Sequence, residues 1–406
     1  MKLPQGWEIV SLEKVAKIQT GLAKGKKDQK NVVSLPYLRV ANVQDGYLDL
    51  SEIKEIEVDS SQVNRYLLQN EDILLTEGGD FDKLGRGGIW HCQVNPCLHQ
   101  NHVFAVRVNK ENLIPYFFAQ QVSSFYGKAY FLSCAKQTTN LASINSTQLK
   151  EFPVLLPPLL EQCKIVEVLG VWDESIDLLE RLIGRVRSRK QGLMKQLLTG
   201  KKRFKEFEGS EYSIVKLSEV AKIRRGASPR PIQDPKWFAE KGRGWVRIRD
   251  VTASNTYLME TTQYLSNLAV EKSVKVDPGD LIMSICATIG VPRIVGIPAC
   301  IHDGFVVFRE LEKYIDKFFL YHYINLISAK ISDSGQPGTQ KNINTTIVGN
   351  IEVPKFSIPE QEKIAAVLSA ADEEISTLEK QLAAYKQQKL GLMQQLLTGK
   401  IRVGII

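Results

Sequence analysis

Two stretches decide the architecture: GLMKQLLTGKKRF at residues 192–204 and GLMQQLLTGKIRV at residues 391–403. They stand 199 residues apart, and the match extends backwards at that offset without a gap. Glu161-Gln162 matches Glu360-Gln361, Lys164-Ile165 matches Lys363-Ile364, and Asp173-Glu174 matches Asp372-Glu373. Internal repetition at a fixed offset marks a duplicated structural unit. The segments ahead of these phrases also correspond, with drifting offsets. VSLEKVAKIQTG (10–21) pairs with VKLSEVAKIRRG (215–226), YLRVANV (37–43) with WVRIRDV (245–251), and SINSTQLKEFPV (143–154) with NINTTIVGNIEV (342–353). The order is globular, helical, globular, helical.

Apolar positions in the helical segments step by four and three. In the first they are Ile165, Leu169, Trp172, Ile176, Leu179, Ile183, Val186, Leu193 and Leu197, with Lys190 interrupting. In the second they are Ile364, Leu368, Ala371, Ile375, Leu378, Leu382, Tyr385, Leu392 and Leu396, with Lys389 at the equivalent place. A sustained 3.5-residue period is a coiled-coil seam, and each run predicts a rod of roughly 55–60 Å. The alternative is a pair of helices each docked on its own globular neighbour. Charge selects the orientation. Residues 161–183 carry six acidic and two basic side chains, whereas 184–203 carry eight basic and none acidic. Residues 360–382 again carry six and two, and 383–402 carry four basic and none acidic. An antiparallel pair sets each acidic half against a basic half; a parallel pair opposes like charges. The expectation is a pseudo-twofold antiparallel pair with Ile176 facing Tyr385 and Ile183 facing Leu378. Lys190 then lies beside Asp372 and Glu374, and Lys389 beside Asp173 and the ring of Trp172.

The globular segments read as mixed α/β. Short Val/Ile/Leu-rich runs are punctuated by glycine turn signals, and helices are predicted at 113–132 and 313–331. The chain divides into domains at 1–155 and 205–354, with helical spacers at 156–204 and 355–406. A total of 406 residues suits more than one core, and 43% hydrophobic content excludes a disordered chain. The formal charge of +8 favours polyanionic partners. LIMSICATIGVPRIVGIPACI (281–301) is long enough to suggest a membrane span. Arg293, Pro292 and Pro298 make it buried strands and turns instead. MKLPQGWEIVSLEKV has no apolar signal core, so the expected location is the cytoplasm. There the six cysteines are free thiols.

The sequence carries no complete catalytic motif. Asn95-Pro96-Cys97-Leu98 fails as an adenine-methyltransferase element. GLAKGK (21–26) is too short for a phosphate loop and lacks the following Ser or Thr. His91, Cys92, Cys97, His99 and His102 have zinc-ligand chemistry but no finger or ribbon spacing, so no metal is assigned. A self-contained DNA-modifying enzyme and a coiled-coil scaffold without DNA binding are the competing classes.

The layout and its motifs resemble the specificity subunit of type I restriction-modification systems along essentially the whole chain. PPLLEQCKIVEVL and IPEQEKIAAVL enter the rods, and the two GLM-QLLTGK phrases leave them. GTQKNIN (338–344), GGDFDKLGRGGIW (78–90) and HQNHVFAVRV (99–108) lie in the globular parts. The first half departs from the pattern, with AKQTTNLASIN (135–145) in place of the GTQ form. The resemblance implies a non-catalytic subunit with two target-recognition domains, each reading half of a bipartite, asymmetric duplex DNA site. It implies docking of two methyltransferase subunits and of restriction subunits. S-adenosylmethionine, ATP and magnesium then belong to those partners, with no cofactor on this chain.

DNA contacts are expected where basic residues sit between glycines, which permit close backbone approach. In the first domain these are Lys24, Lys26, Lys27, Lys83 and Arg86. In the second they are Arg224, Arg225, Arg230, Lys236, Arg243 and the loop Gln340, Lys341, Asn342. Arginine can read guanine, and Asn or Gln adenine, through paired hydrogen bonds.

Overall fold

The computed structural model describes residues 3–23, 31–79, 84–137, 142–311, 313–333 and 342–404. The chain forms two compact units. Unit 1 comprises Met1–Leu179 with Gln381–Ile406, and unit 2 comprises Glu180–Lys380. Two 39-residue helices, Leu159–Leu197 and Ile358–Leu396, are the rods, and each contributes one part to each unit.

In unit 1 a four-stranded antiparallel sheet runs Ala16–Thr20, Val103–Val108, Ile73–Thr76, Gly87–Ile89. A second sheet orders Lys54–Asp59, Val32–Leu38 and Leu98–His99, the last two parallel. Glu8–Ser11 pairs with Pro153–Leu156. Unit 2 repeats this plan with longer sheets. One runs Lys222–Arg225, Phe305–Arg309, Leu281–Ser284, Pro292–Val295, Tyr257–Leu258. Another runs Phe238–Ala239, Tyr264–Leu265, Arg243–Val246, Ala299–Ile301, Val274–Val276. Ser213–Lys216 pairs with Glu352–Lys355. The segment 281–301 is therefore three buried strands. Arg293 satisfies its guanidinium on the Ser254 carbonyl and hydroxyl and on the Pro292 carbonyl.

The helix predicted at 113–132 is two helices, Pro115–Ser123 and Phe125–Cys134. Ser124 breaks the run by adopting extended geometry and accepting the Gly127 amide on its hydroxyl. A Cβ on Gly127 would lie 2.2 Å from the Val122 carbonyl oxygen, so the tight turn requires glycine there. Continuous apolar spacing hid this break. The second predicted helix is Lys317–Asp333.

The rods run antiparallel within each unit. In unit 1 Lys389 Nζ lies 2.5 Å from Asp173 Oδ1, and the Trp172 ring meets Tyr385 at 5.4 Å. In unit 2 Lys190 binds Asp372 and Arg187 binds Glu379 at 2.5 Å. Both seam lysines therefore find the expected aspartates. Glu374 binds Arg189 rather than Lys190, and the aromatic neighbour of Trp172 is Tyr385. A charged residue at a seam position favours one register because a slip would strand it without a carboxylate. Every seam residue is buried or half-buried.

The helix ends also belong to the globular cores. Ile165, Leu169, Met393, Leu396 and Leu397 pack with Phe104, Phe117 and Phe152 in unit 1. Met194, Leu197, Leu198, Ile364 and Leu368 pack with Leu281, Phe308 and Phe319 in unit 2. Seam pairing and docking on the globular neighbour thus coexist.

The repeated Glu-Gln motif makes these junctions. Gln162 accepts the Ile114 amide at 2.9 Å and donates to the Asn112 and Pro157 carbonyls. Gln361 accepts the Asp316 amide at 2.8 Å and donates to the Phe356 carbonyl. Glu161, fully buried, takes the Trp7 indole N–H and the Nε and Nη2 of Arg402. Glu360 takes Arg203. The basic tails of the two repeated phrases therefore end on the acids that open the opposite helices.

Candidate nucleic-acid interface

In each unit four separate segments converge at the ends of the strands. In unit 2 the Gly226 amide donates to Phe305, Ala227 to Ile301, Ile285 to Gly304, and Ile343 to Ile285. Asn342 bridges Cys286. In unit 1 Leu22 donates to His99, Asn101 to Leu22, Glu77 to His102, and Ile144 to Glu77. The same wiring thus serves two sets of dissimilar residues. The glycines closing the repeated phrases explain their own recurrence. A Cβ would come 2.2 Å from the His99 carbonyl oxygen at Gly21 and 2.1 Å from that of His302 at Gly226. Gly226→Ala is accordingly expected to cost roughly 1–3 kcal/mol and to distort this loop end. A lower melting temperature together with weaker duplex binding checks it; an unchanged variant would contradict the crowding.

The basic and amide residues expected at DNA meet different fates. Arg225 donates its Nε to the Asp303 carbonyl at 2.7 Å, and Arg230 lies 2.8 Å from Asp303 Oδ2, so the two share one acidic turn. Arg224 is exposed on the neighbouring strand position, and Asn342 is exposed beside the cluster. Lys236 pairs with Asp234 and lies over the Trp237 ring at 4.6 Å. Arg243 turns inward instead. It donates to the Val276 and Ala299 carbonyls and binds Asp277, which ties two strand ends together. Arg86 is half-buried and reaches Gln44 and the Val40 carbonyl, so it braces the loop after Leu38. Lys24, Lys26, Lys27, Lys83, Gln340 and Lys341 lie outside the described residues.

Reasoning from basic loops misses the acids and histidines of this cluster. Ser228 donates to Asp303 Oδ1 at 2.7 Å. Burial works to raise the Asp303 carboxyl, but the Ser228 hydrogen bond and the Arg230 charge prevail and hold it below the ordinary aspartate range. His302, packed on Trp245 and Phe305, is pushed down by burial. In unit 1 His102 Nδ1 lies 2.6 Å from Glu77 Oε2. The available signal was the correspondence of HQNHVF (99–104) with IHDGFV (301–306), two turns followed by a buried strand.

The histidines and cysteines with zinc-ligand chemistry go to separate partners. His99 is buried with Nδ1 2.8 Å from the Val103 carbonyl oxygen, and desolvation lowers its pKa to about 4. His91 stacks on Tyr116, and burial raises the Cys97 thiol to about 12. Among the described residues no group of three or more His, Cys, Asp or Glu is arranged to hold a metal ion.

The profile of the type I restriction modification DNA specificity domain matches this chain twice, over residues 4–187 and 209–385. The chain belongs to that family. Its two matches follow the two repeats, so the duplication is of a whole specificity domain. The candidate MjaX type I restriction enzyme specificity subunit of Methanocaldococcus jannaschii is 28% identical over 415 residues, covering 99% of this chain and 95% of its own. Among solved structures, a chain from a study of complex assembly and conformational transition in a type I R-M system superposes with a TM-score of 0.64. It shares 18% identity, and the match covers 99% of this chain and 100% of that one. The type I restriction-modification S subunit of M. genitalium gives 0.57 at 14% identity, covering 98% of each. These two likenesses concern the fold.

Proposed function

We propose that this specificity-domain protein is the DNA sequence-specificity subunit of a type I restriction-modification complex. The observation that carries this reading is one loop framework built twice with different side chains. Arg225, Arg230 and Asp303 occupy it in unit 2, where Glu77, Asn101 and His102 stand in unit 1. Two such surfaces suit two unlike half-sites, and hence a bipartite, asymmetric duplex. Phosphates supply affinity through Lys and Arg, and base edges supply specificity. The recognition domains are 1–155 and 205–354, and the helical segments 156–204 and 355–406 hold their spacing and dock the partners. Those partners are two methyltransferase subunits and the restriction subunits, which carry S-adenosylmethionine, ATP and magnesium. This chain takes no cofactor, is not catalytic, and works in the cytoplasm.

The residues we assign to DNA are Lys24, Lys26, Lys27 and Lys83 in the first domain. In the second they are Arg224, Arg225, Arg230, Lys236, Gln340, Lys341 and Asn342. Arg86 and Arg243, engaged within the protein, act by bracing a loop and two strand ends. The test of the reading is sequence-dependent duplex binding by the chain assembled with its methyltransferase subunits; uniform binding to all duplexes would favour a scaffold.

Highly purified chain incubated with S-adenosylmethionine and duplex DNA should transfer no methyl groups, and with ATP and magnesium should cut nothing. Turnover that co-purifies with the chain through successive columns would overturn the non-catalytic assignment.

A further inference from the structure

Arg230 is 70% exposed at its side chain, yet it is held by an acid that is itself fixed. Asp303 sits in the turn between the strands Ala299–Ile301 and Phe305–Arg309. Its carboxylate takes Ser228 on one oxygen and Arg230 on the other, while its main-chain carbonyl takes Arg225. Beneath it His302 is wedged against Trp245 and Phe305 and accepts the Gly304 amide on Nδ1 at 2.8 Å. The carboxylate is held by Ser228 as well as by Arg230, so it is the more constrained member of the pair.

Stability does not account for this arrangement, because an exposed pair contributes little to folding. Nor does phosphate binding, since a carboxylate beside the guanidinium repels a phosphate and lowers the local positive charge. Base reading does account for it. A guanidinium pinned at one Nη nitrogen keeps its remaining N–H groups free along another edge, and that fork matches O6 and N7 of guanine. Pinning also removes rotamer freedom before DNA arrives, which is how a recognition side chain becomes selective.

We propose that Asp303 is a positioning residue that presents Arg230 to a guanine in the half-site taken by unit 2. The inference rests on the DNA-reading function above and deepens it. In unit 1 the position of Asp303 is taken by Asn101, which has no carboxylate to hold a guanidinium. The requirement therefore belongs to one half-site.

The experiment uses the full chain assembled with its methyltransferase subunits and a duplex library randomised in both half-sites. The wild-type complex should enrich guanine at a defined position of one half. Asp303→Ala and Arg230→Gln should each lower that preference about tenfold and leave the other half unchanged. Asp303→Glu should restore part of it, as a purely structural residue would not. Because Arg230 is exposed, Arg230→Gln keeps the test available should the Asp303 variants fold poorly. An unchanged enriched motif in Asp303→Ala would overturn the proposal. So would a uniform rise in affinity without a change in motif, the mark of phosphate contact, or a loss of preference in both halves. A wild-type complex with no sequence preference would instead refute the parent reading.

Discussion

Replacing residues 1–155 with the corresponding segment of a relative changes one half of the recognised DNA sequence completely and leaves the other half as it was. The expectation follows from the two family matches and from the two loop frameworks, each closed within its own unit. Each mismatched base pair costs about 1–3 kcal/mol, so three or four changed positions redirect binding by several orders of magnitude. Several contacts cross the junction, among them Gln162 on the Ile114 amide and Glu161 on the Trp7 indole, and the hybrid must keep them. Gln121 both donates to the Leu155 carbonyl and accepts the Leu155 amide, and Leu156 pairs with Glu8. An exchange that carries Gln121 and Leu155 together preserves this closure. Sequencing of methylated adenines in cells carrying the hybrid reads the outcome, and alteration of both halves would refute modular recognition.

The second large effect concerns Glu360. Its side chain is 1% exposed and that of Arg203 11%. The guanidinium meets the carboxylate through Nε at 2.8 Å and through Nη2, and it packs against the Tyr212 and Phe356 rings. Glu360→Ala leaves that half-buried guanidinium without its counter-charge, a change that costs up to about 3–5 kcal/mol where the pair is buried. In a unit of this size the melting temperature should fall on the order of 10 °C. Arg203→Met should be damaging as well, because it strands the acid. The double variant Glu360→Leu with Arg203→Met should recover much of the loss, since well-packed apolar residues can replace a buried ion pair. Thermal unfolding of the single and double variants makes this a complete cycle. Strictly additive losses would show that the two residues act independently and that the pairing contributes nothing.

The rods are legible in the sequence for a physical reason. Seam spacing is a local property, written every three or four residues from Ile165 to Leu197 and from Ile364 to Leu396. Halves of opposite charge allow one orientation of the pair. Lys190 and Lys389 could be matched to Asp372 and Asp173 because a buried ammonium tolerates few positions. The mixed α/β character of the globular parts was likewise present in their turn signals. Other features needed the tertiary structure. The break at Ser124 depends on how closely Gly127 approaches the Val122 carbonyl, which no apolar pattern records. Arg243 looked like a free basic residue until strand ends arriving from positions 276 and 299 claimed its guanidinium. Asp303 had no reason to stand out until the fold brought Ser228 and Arg230 to it across more than 70 residues of chain. Periodic packing is encoded between near neighbours, so sequence alone determined the rods and the duplication. A loop surface is assembled from segments with no periodic relation, so only tertiary structure decided which of its side chains are braces and which are free to bind.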